Sequence, residues 1–270
     1  MLTVSRHGVD LRFDTTGFAE TPYVYRPLLN DAVYEEPFLA HVRSLDRAGV
    51  YVDVGAHLGT HTLWFAALCP ATHVHAFEPV GRFAEVVRRN VAANGLKDKV
   101  SVHQTGLSDR PGKVTNLLSP EHQLGFTAEP TVAREEFAVA RLDRIRLGGP
   151  VAVIKLDVEG MEAAVLRGAS RILSRHRPVV YAEAHDAAAV ADITEALAPY
   201  GYRHTGRVFN ASPTYEFVAP ARRPGDRLRP LWRRLPAGLR RAVRRTVNRV
   251  VKRTAGRAAG RTEREGRRAG

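Results

Sequence analysis

The chain has 270 residues, 44% of them hydrophobic, enough to enclose a core in one large domain with an appendage, and its single cysteine, Cys69, excludes an internal disulfide. The formal charge of +13 is concentrated at one end: residues 221–270 hold eighteen Lys or Arg against Asp226, Glu263 and Glu265, whereas the first 220 residues hold 23 basic and 25 acidic ones. Arguments about nucleic acid or anionic membranes therefore apply to the tail; with no apolar signal core and no stretch near the roughly 20 apolar residues that span a bilayer, a soluble or peripheral cytoplasmic protein is expected.

Leu2–Arg6 and Val9–Phe13 alternate around His7-Gly8 and predict a hairpin, which makes residues 1–33 an edge hairpin or cap. Tyr34 to Leu45 predicts a helix with Phe38, Val42 and Leu45 on one side; Glu35 and Glu36 at its start complement the helix dipole. The next stretch organises the chain. Tyr51-Val52-Asp53-Val54 is a short strand that breaks into Gly55-Ala56-His57-Leu58-Gly59, and His61 to Leu68 follows as a helix. Glycine is required where φ is positive or where a ligand approaches the main chain, and such a turn at the carboxyl end of a parallel strand is where open α/β sheets bind nucleotide-like ligands. Taken alone, the two glycines serve equally to permit a tight turn.

Val74–Pro79 predicts a second strand, and Phe83 to Asn94 a helix closed by Gly95. Val100–Gln104 is a third strand, followed by Gly106-Leu107-Ser108-Asp109. Residues 110–148 interrupt the rhythm as an insertion, with strands at Val114–Leu118 and Phe137–Leu142 around a loop containing Pro120, Gly125 and Pro130. Val151–Leu156 is a buried strand ending in Asp157-Val158-Glu159-Gly160, with Met161–Ser174 as its helix. Val179–Ala182 is a fifth, ending in Glu183-Ala184-His185-Asp186, with a helix to Leu197. Tyr202–Val208 and Thr214–Val218 close the domain as an antiparallel pair. This alternation predicts a parallel sheet covered by helices on both faces.

Glu78 stands 25 residues after Asp53, at the end of the second strand. An acidic residue about 20 residues beyond the glycine turn accepts hydrogen bonds from ribose hydroxyls in nucleotide-binding βαβ units. The turn lacks the Gly-x-Gly-x-x-Gly that admits a pyrophosphate, so a ligand with ribose and adenine but no phosphate, such as S-adenosylmethionine, fits better than NAD. Ser108 and Asp109 are placed to meet an adenine edge, or Asp109-Arg110-Pro111-Gly112 is a simple turn.

Three stretches, Val52-Asp53-Val54-Gly55-Ala56-His57-Leu58-Gly59, Ala76-Phe77-Glu78-Pro79 and Ile154-Lys155-Leu156-Asp157-Val158-Glu159-Gly160, resemble the FkbM family of class I S-adenosylmethionine-dependent methyltransferases. Arg141-Leu142-Asp143 and Leu166-Arg167-Gly168-Ala169 also resemble its pattern. The resemblance covers about Tyr34 to Pro220, so residues 34–220 are expected to be the methyltransferase domain. It implies a Rossmann-like class I methyltransferase fold, with a mostly parallel seven-stranded sheet, helices on both faces and an antiparallel C-terminal hairpin. It also implies O-methylation of a hydroxyl on a small molecule, polyketide or saccharide. The cofactor-binding set is then Asp53, Gly55, Ala56, His57, Gly59, Glu78, Pro79, Ser108, Asp109 and Asp157. His57 stands where the family usually has Asn, and both side chains hydrogen-bond.

Independently of the family, Asp157 and Glu159, and likewise Glu183 and His185, are two residues apart at adjacent strand ends. Each pair projects to one side of an extended backbone. Asp157, Glu159 and His185 are the catalytic candidates, with His185 best suited to take the acceptor's proton. Alternatively, Asp157, Glu159 and Glu183 hold a divalent metal that acidifies the hydroxyl, or Asp157 contacts only the cofactor and Glu159 caps a helix. Lys155 is expected to pair with a carboxylate, and His61, His73, His75, His103 and His122 to be structural. In the tail, Leu239, Val243, Val247 and Val251 recur among arginines and predict a basic amphipathic helix over 237–254, with 255–270 disordered. It docks on an anionic membrane, binds phosphates or packs on the domain; the slightly acidic domain, without an aromatic-basic stripe, disfavours a nucleic-acid acceptor.

Overall fold

Runs rich in Val, Ile and Tyr that are apolar at successive positions suit strands buried on both faces, and the two most continuous of them lie side by side at the centre of the sheet. The computed structural model describes residues 1–15, 22–116 and 135–220. Strands β1 (Leu2–Arg6) and β2 (Val9–Phe13) form the expected hairpin. Helices α1 (Pro22–Leu29) and α2 (Glu36–Ser44) then lead into β3 (Gly49–Val54). Next come α3 (Thr60–Leu68), β4 (Ala71–Phe77), α4 (Gly81–Ala93), β5 (Val100–His103), β6 (Gly106–Leu107), β7 (Gly112–Asn116) and β8 (Glu135–Ala140). The chain continues with β9 (Val151–Leu156), α5 (Glu162–Gly168), α6 (Ser170–Arg175), β10 (Val179–Glu183), α7 (Ala187–Leu197), β11 (Arg203–Phe209) and β12 (Thr214–Val218).

Seven strands form the main sheet in the order β11-β12-β10-β9-β3-β4-β5. The five from β10 to β5 are mutually parallel, and β12 runs against β10 and β11, so the sheet is mostly parallel with an antiparallel C-terminal hairpin. β3 and β9 are buried at every position. One core, with Phe38, Trp64, Phe65 and Val87, lies on one side of the sheet; the other, with Leu142, Leu166, Leu173 and Ile193, lies on the opposite side. Among the described residues, no helix is long and apolar enough to cross a membrane.

Three elements differ from the sequence reading. Helix α1 was not expected, because Pro27 reads as a breaker although it sits inside the helix. The insertion's two strands shift to β7 and β8 and join β6 in a separate three-stranded sheet; its loop with Pro120, Gly125 and Pro130 lies outside the described residues. The single helix expected over Met161–Ser174 is two, broken at Ala169. Asp143 causes the restart: its carboxylate accepts the N–H of Arg171 (2.8 Å), the N–H of Ile172 (3.1 Å) and the hydroxyl of Ser170 (3.0 Å), capping α6 from another element. The helix expected over 237–254 and the 255–270 segment also lie outside the described residues.

Candidate active site

The glycine turn is stitched to its neighbouring strand before any ligand is considered. Gly55 and Ala56 donate their N–H groups to the Phe77 carbonyl at 2.9 and 3.0 Å. Gly55 has φ +78°, and a Cβ there would lie 1.8 Å from the Asp157 carbonyl oxygen, so only glycine lets β3 and β9 end this close together. His57 also has positive φ, and Gly59 caps α3. Glu78 closes the turn: its Oε2 accepts the His57 N–H at 2.8 Å and its Oε1 the Val80 N–H at 2.9 Å. Burial pushes the Glu78 carboxyl up to about 7 despite these backbone donors. Each oxygen keeps a further lone pair. Pro79, half-buried, follows it in the chain.

Beneath the turn lies a buried ion cluster. Asp53 has no exposed surface; its Oδ2 accepts the Thr62 hydroxyl at 2.6 Å, and its Oδ1 faces the Lys155 ammonium at 3.6 Å. Lys155 Nζ donates to the Gly55 carbonyl at 3.1 Å and lies 3.4 Å from Asp157 Oδ2. Lys155 thus pairs with carboxylates, as its strand position implied. Burial opposes its charge, but Asp157 and Asp53 outweigh that and hold it as an ammonium. Asp157 is desolvated too, yet the Lys155 charge keeps its carboxyl below the usual range. Asp53 acts on the turn from within the sheet, whereas Asp157 keeps 37% of its side-chain surface open.

The pairs at the ends of β9 and β10 come together. His185 Nε2 lies 3.6 Å from both Glu159 Oε2 and Glu183 Oε2, and Ser212 donates its hydroxyl to Glu183. Burial raises the Glu183 carboxyl, and the Asp157 charge adds to the shift. Glu159 sits in the left-handed region, φ 53°, which turns the chain between β9 and α5. Ligand atoms of Glu159, Glu183 and His185 lie within 4.8 Å of one another, a set that can take a divalent cation. His185 thus takes the place that the sequence reading gave to Asp157 in a metal site.

Ser108 and Asp109 follow β6. Ser108 is buried and donates its hydroxyl to Asp109 Oδ1 at 3.3 Å; the Asp109 side chain is 42% exposed. A Cβ on Gly168 would lie 2.1 Å from the Ser108 carbonyl oxygen, so this glycine lets α5 pack directly on the loop.

Sequence reasoning missed the wall supplied by the N-terminal segment. The Tyr23 ring stacks on His57 (centroids 6.3 Å, 3° between planes) and meets Tyr34 edge-on at 5.9 Å. Tyr34 in turn stacks on His61, whose Nε2 lies 3.2 Å from Glu35 Oε2. Burial pushes the Tyr23 hydroxyl up to about 12, helped by the negative field of Asp157, Glu159, Glu183 and Glu35. Glu36, by contrast, is tied to Arg6 and the Val33 N–H. His75 and His103 stack across β4 and β5, and His73 lies tilted against His75. His122 lies outside the described residues.

Residues 53–204, spanning the turn, Glu78 and both acidic strand ends, match the Methyltransferase FkbM domain. The chain belongs to the FkbM methyltransferase family. It is 29% identical to the 31-O-demethyl-FK506 methyltransferase FkbM of Streptomyces tacrolimicus, over 68% of this chain and 82% of that one. It is 25% identical to the methyltransferase sdnD of Sordaria araneosa, over 55% of this chain and 69% of that one. The crystal structure of a methyltransferase FkbM from Methylobacillus flagellatus KT superposes with a TM-score of 0.50 at 19% identity, covering 74% of this chain and 54% of that one, and shows the shared fold. Family membership makes the carboxyl edge of the sheet the candidate methyl-transfer site.

Proposed function

We propose that this FkbM-family chain transfers a methyl group from S-adenosylmethionine to a hydroxyl of a small molecule, polyketide or saccharide. The observation that carries the reading is the Glu78 carboxylate: buried, hydrogen-bonded to the turn at 2.8 Å and left with lone pairs that two ribose hydroxyls would satisfy. The residues present therefore fit the cofactor. Glu78 would take the ribose, the turn from Gly55 to Gly59 the neighbouring main-chain contacts, Ser108 and Asp109 the adenine, and Asp157 the methionine part. The bound cofactor supplies an electrophilic sulfonium methyl.

The remaining work is to hold an acceptor oxygen in line and take its proton. Asp157, held ionised by Lys155, is a weak base, and burial beside the Asp157 charge disfavours the ionised form of Glu183. His185 is left to receive the proton at a ring nitrogen, with Glu159 3.6 Å away to stabilise the resulting imidazolium. Oxygen as the acceptor atom accords with the name of the Streptomyces relative, which specifies a 31-O-demethyl substrate. In this reading residues 34–220 carry the activity in the cytoplasm or at a membrane surface, residues 1–33 cap the site, and the 110–148 insertion selects the acceptor.

A labelled-methyl assay over hydroxylated small molecules and saccharides tests the reading. Label is expected on oxygen and lost in His185→Ala, with chelator making no difference. Transfer to nitrogen or carbon, or an unchanged rate in His185→Ala, would refute it. Abolition by chelator would replace the base with a metal on Glu159, Glu183 and His185.

A further inference from the structure

Strand direction sorts the charges of the unit Met1–Pro220. Its carboxyl edge carries Glu78, Asp157, Glu159 and Glu183, whereas the opposite edge, where the parallel strands begin, carries more arginines than acids, with Asp46 and Asp98 exposed among them. Arg47 precedes β3, Arg144 and Arg146 precede β9, and Arg171, Arg175 and Arg177 lie in α6 and the turn before β10. The first five of these are exposed, and Arg146, Arg171 and Arg175 line, with His176, one cavity of about 260 Å³. The nearby Asp143 carboxylate is already engaged in capping α6. Complementing the α6 dipole accounts for Arg175 in its last turn, and Arg47 donates to the Arg177 carbonyl at 3.1 Å, whereas Arg146 sits in a loop.

The chain leaves the unit at this same edge. β12 runs against β10, so it ends where β10 begins, and Arg177 donates its Nε–H to the Pro220 carbonyl at 3.2 Å. Eighteen Lys or Arg follow in the sequence, interleaved with Leu231, Trp232 and Leu235 and with Leu239, Val243, Val247 and Val251.

We infer that the arginine rim is a docking surface for an anionic lipid bilayer. Phosphate binding on a nucleic acid requires only the basic residues. Apolar residues at four-residue spacing among arginines, in the sequence that starts at this rim, are what the headgroup–acyl boundary takes up. A single basic patch binds a bilayer weakly, so the rim provides a second electrostatic signal in addition to that sequence. Strands of about six residues, at about 3.3 Å each, then place the methyl-transfer site about 20 Å from the docked face.

The test is co-sedimentation of the full chain with phosphatidylcholine–phosphatidylserine vesicles and with phosphatidylcholine alone, for wild type and Arg146→Glu/Arg175→Glu. Wild type is expected on anionic vesicles only, less so at high salt. Each basic residue near an anionic surface is worth about fivefold in partitioning, so the double reversal is expected to weaken it by more than about twentyfold. Melting temperature and S-adenosylhomocysteine affinity should stay unchanged; if the reversal lowers the melting temperature, Arg146→Gln/Arg175→Gln is measured instead, for which two factors of about five give a weakening of about twenty-five-fold. Equal partitioning of variant and wild type overturns the inference. So does tighter binding to duplex RNA than to the anionic vesicles.

Discussion

The Lys155 ammonium lies 3.4 Å from the Asp157 carboxylate and also donates to the Gly55 carbonyl, so one buried cation joins the glycine turn to the acidic end of β9. Lys155→Met would leave Asp53 charged, fully buried and without a cation. Breaking one partner of such a pair costs about 3–5 kcal/mol, which chemical denaturation should show. The double variant Asp53→Asn/Lys155→Met should recover much of it. Equal losses in single and double variants would mean that Lys155 acts through packing alone.

Glu78 predicts a proton linkage. Its carboxyl, raised to about 7 by burial, is partly protonated in the free protein near neutral pH, while ribose hydroxyls donate to the anion. Ligand binding should therefore release a proton, and affinity should rise as pH climbs toward 7. Calorimetry in buffers of different ionisation enthalpy reads this directly; proton uptake would contradict it.

Gly55→Ala combines positive φ with a Cβ placed 1.8 Å from the Asp157 carbonyl oxygen. The turn must move away from β9, at a cost above about 1 kcal/mol. S-adenosylhomocysteine affinity is expected to fall at least about tenfold, since about 1.4 kcal/mol is a factor of ten. An unchanged affinity would show that the ligand does not use this turn.

Glu183 carries a raised carboxyl beside Asp157, so its contribution to stability is present below the ordinary value of 4.5 and is lost as pH rises toward the raised one. Glu183→Gln keeps the shape of the neutral acid and cannot ionise. Its melting temperature relative to wild type should therefore climb as pH increases above 4.5. A gap independent of pH would show that Glu183 is ionised throughout.

The strand-end residues were legible because a parallel strand delivers its last residues to one known edge. Asp53, Glu78, Asp157 and Glu183 could be placed from the alternation of strands and helices alone. The break at Ala169 was not, because its cause is Asp143, a cap 27 residues upstream of Ser170 that no helical period records. Tyr23, Tyr34 and Glu35 escaped for a similar reason. They reach the site through a helix containing Pro27 and a left-handed residue at Glu35, so neither periodicity nor strand order points to them. Glu35 stands at the N-cap of α2, as its dipole role requires, and its carboxylate also meets His61.

The central claim is that the turn and Glu78 hold a methyl donor. Calorimetry with S-adenosylhomocysteine and with NAD, on wild type and Glu78→Ala, addresses it most directly. Wild type is expected to bind S-adenosylhomocysteine and not NAD, with at least about a tenfold loss in Glu78→Ala, the equivalent of about 1.4 kcal/mol from charge-assisted hydrogen bonds. Binding of NAD without S-adenosylhomocysteine would contradict the account.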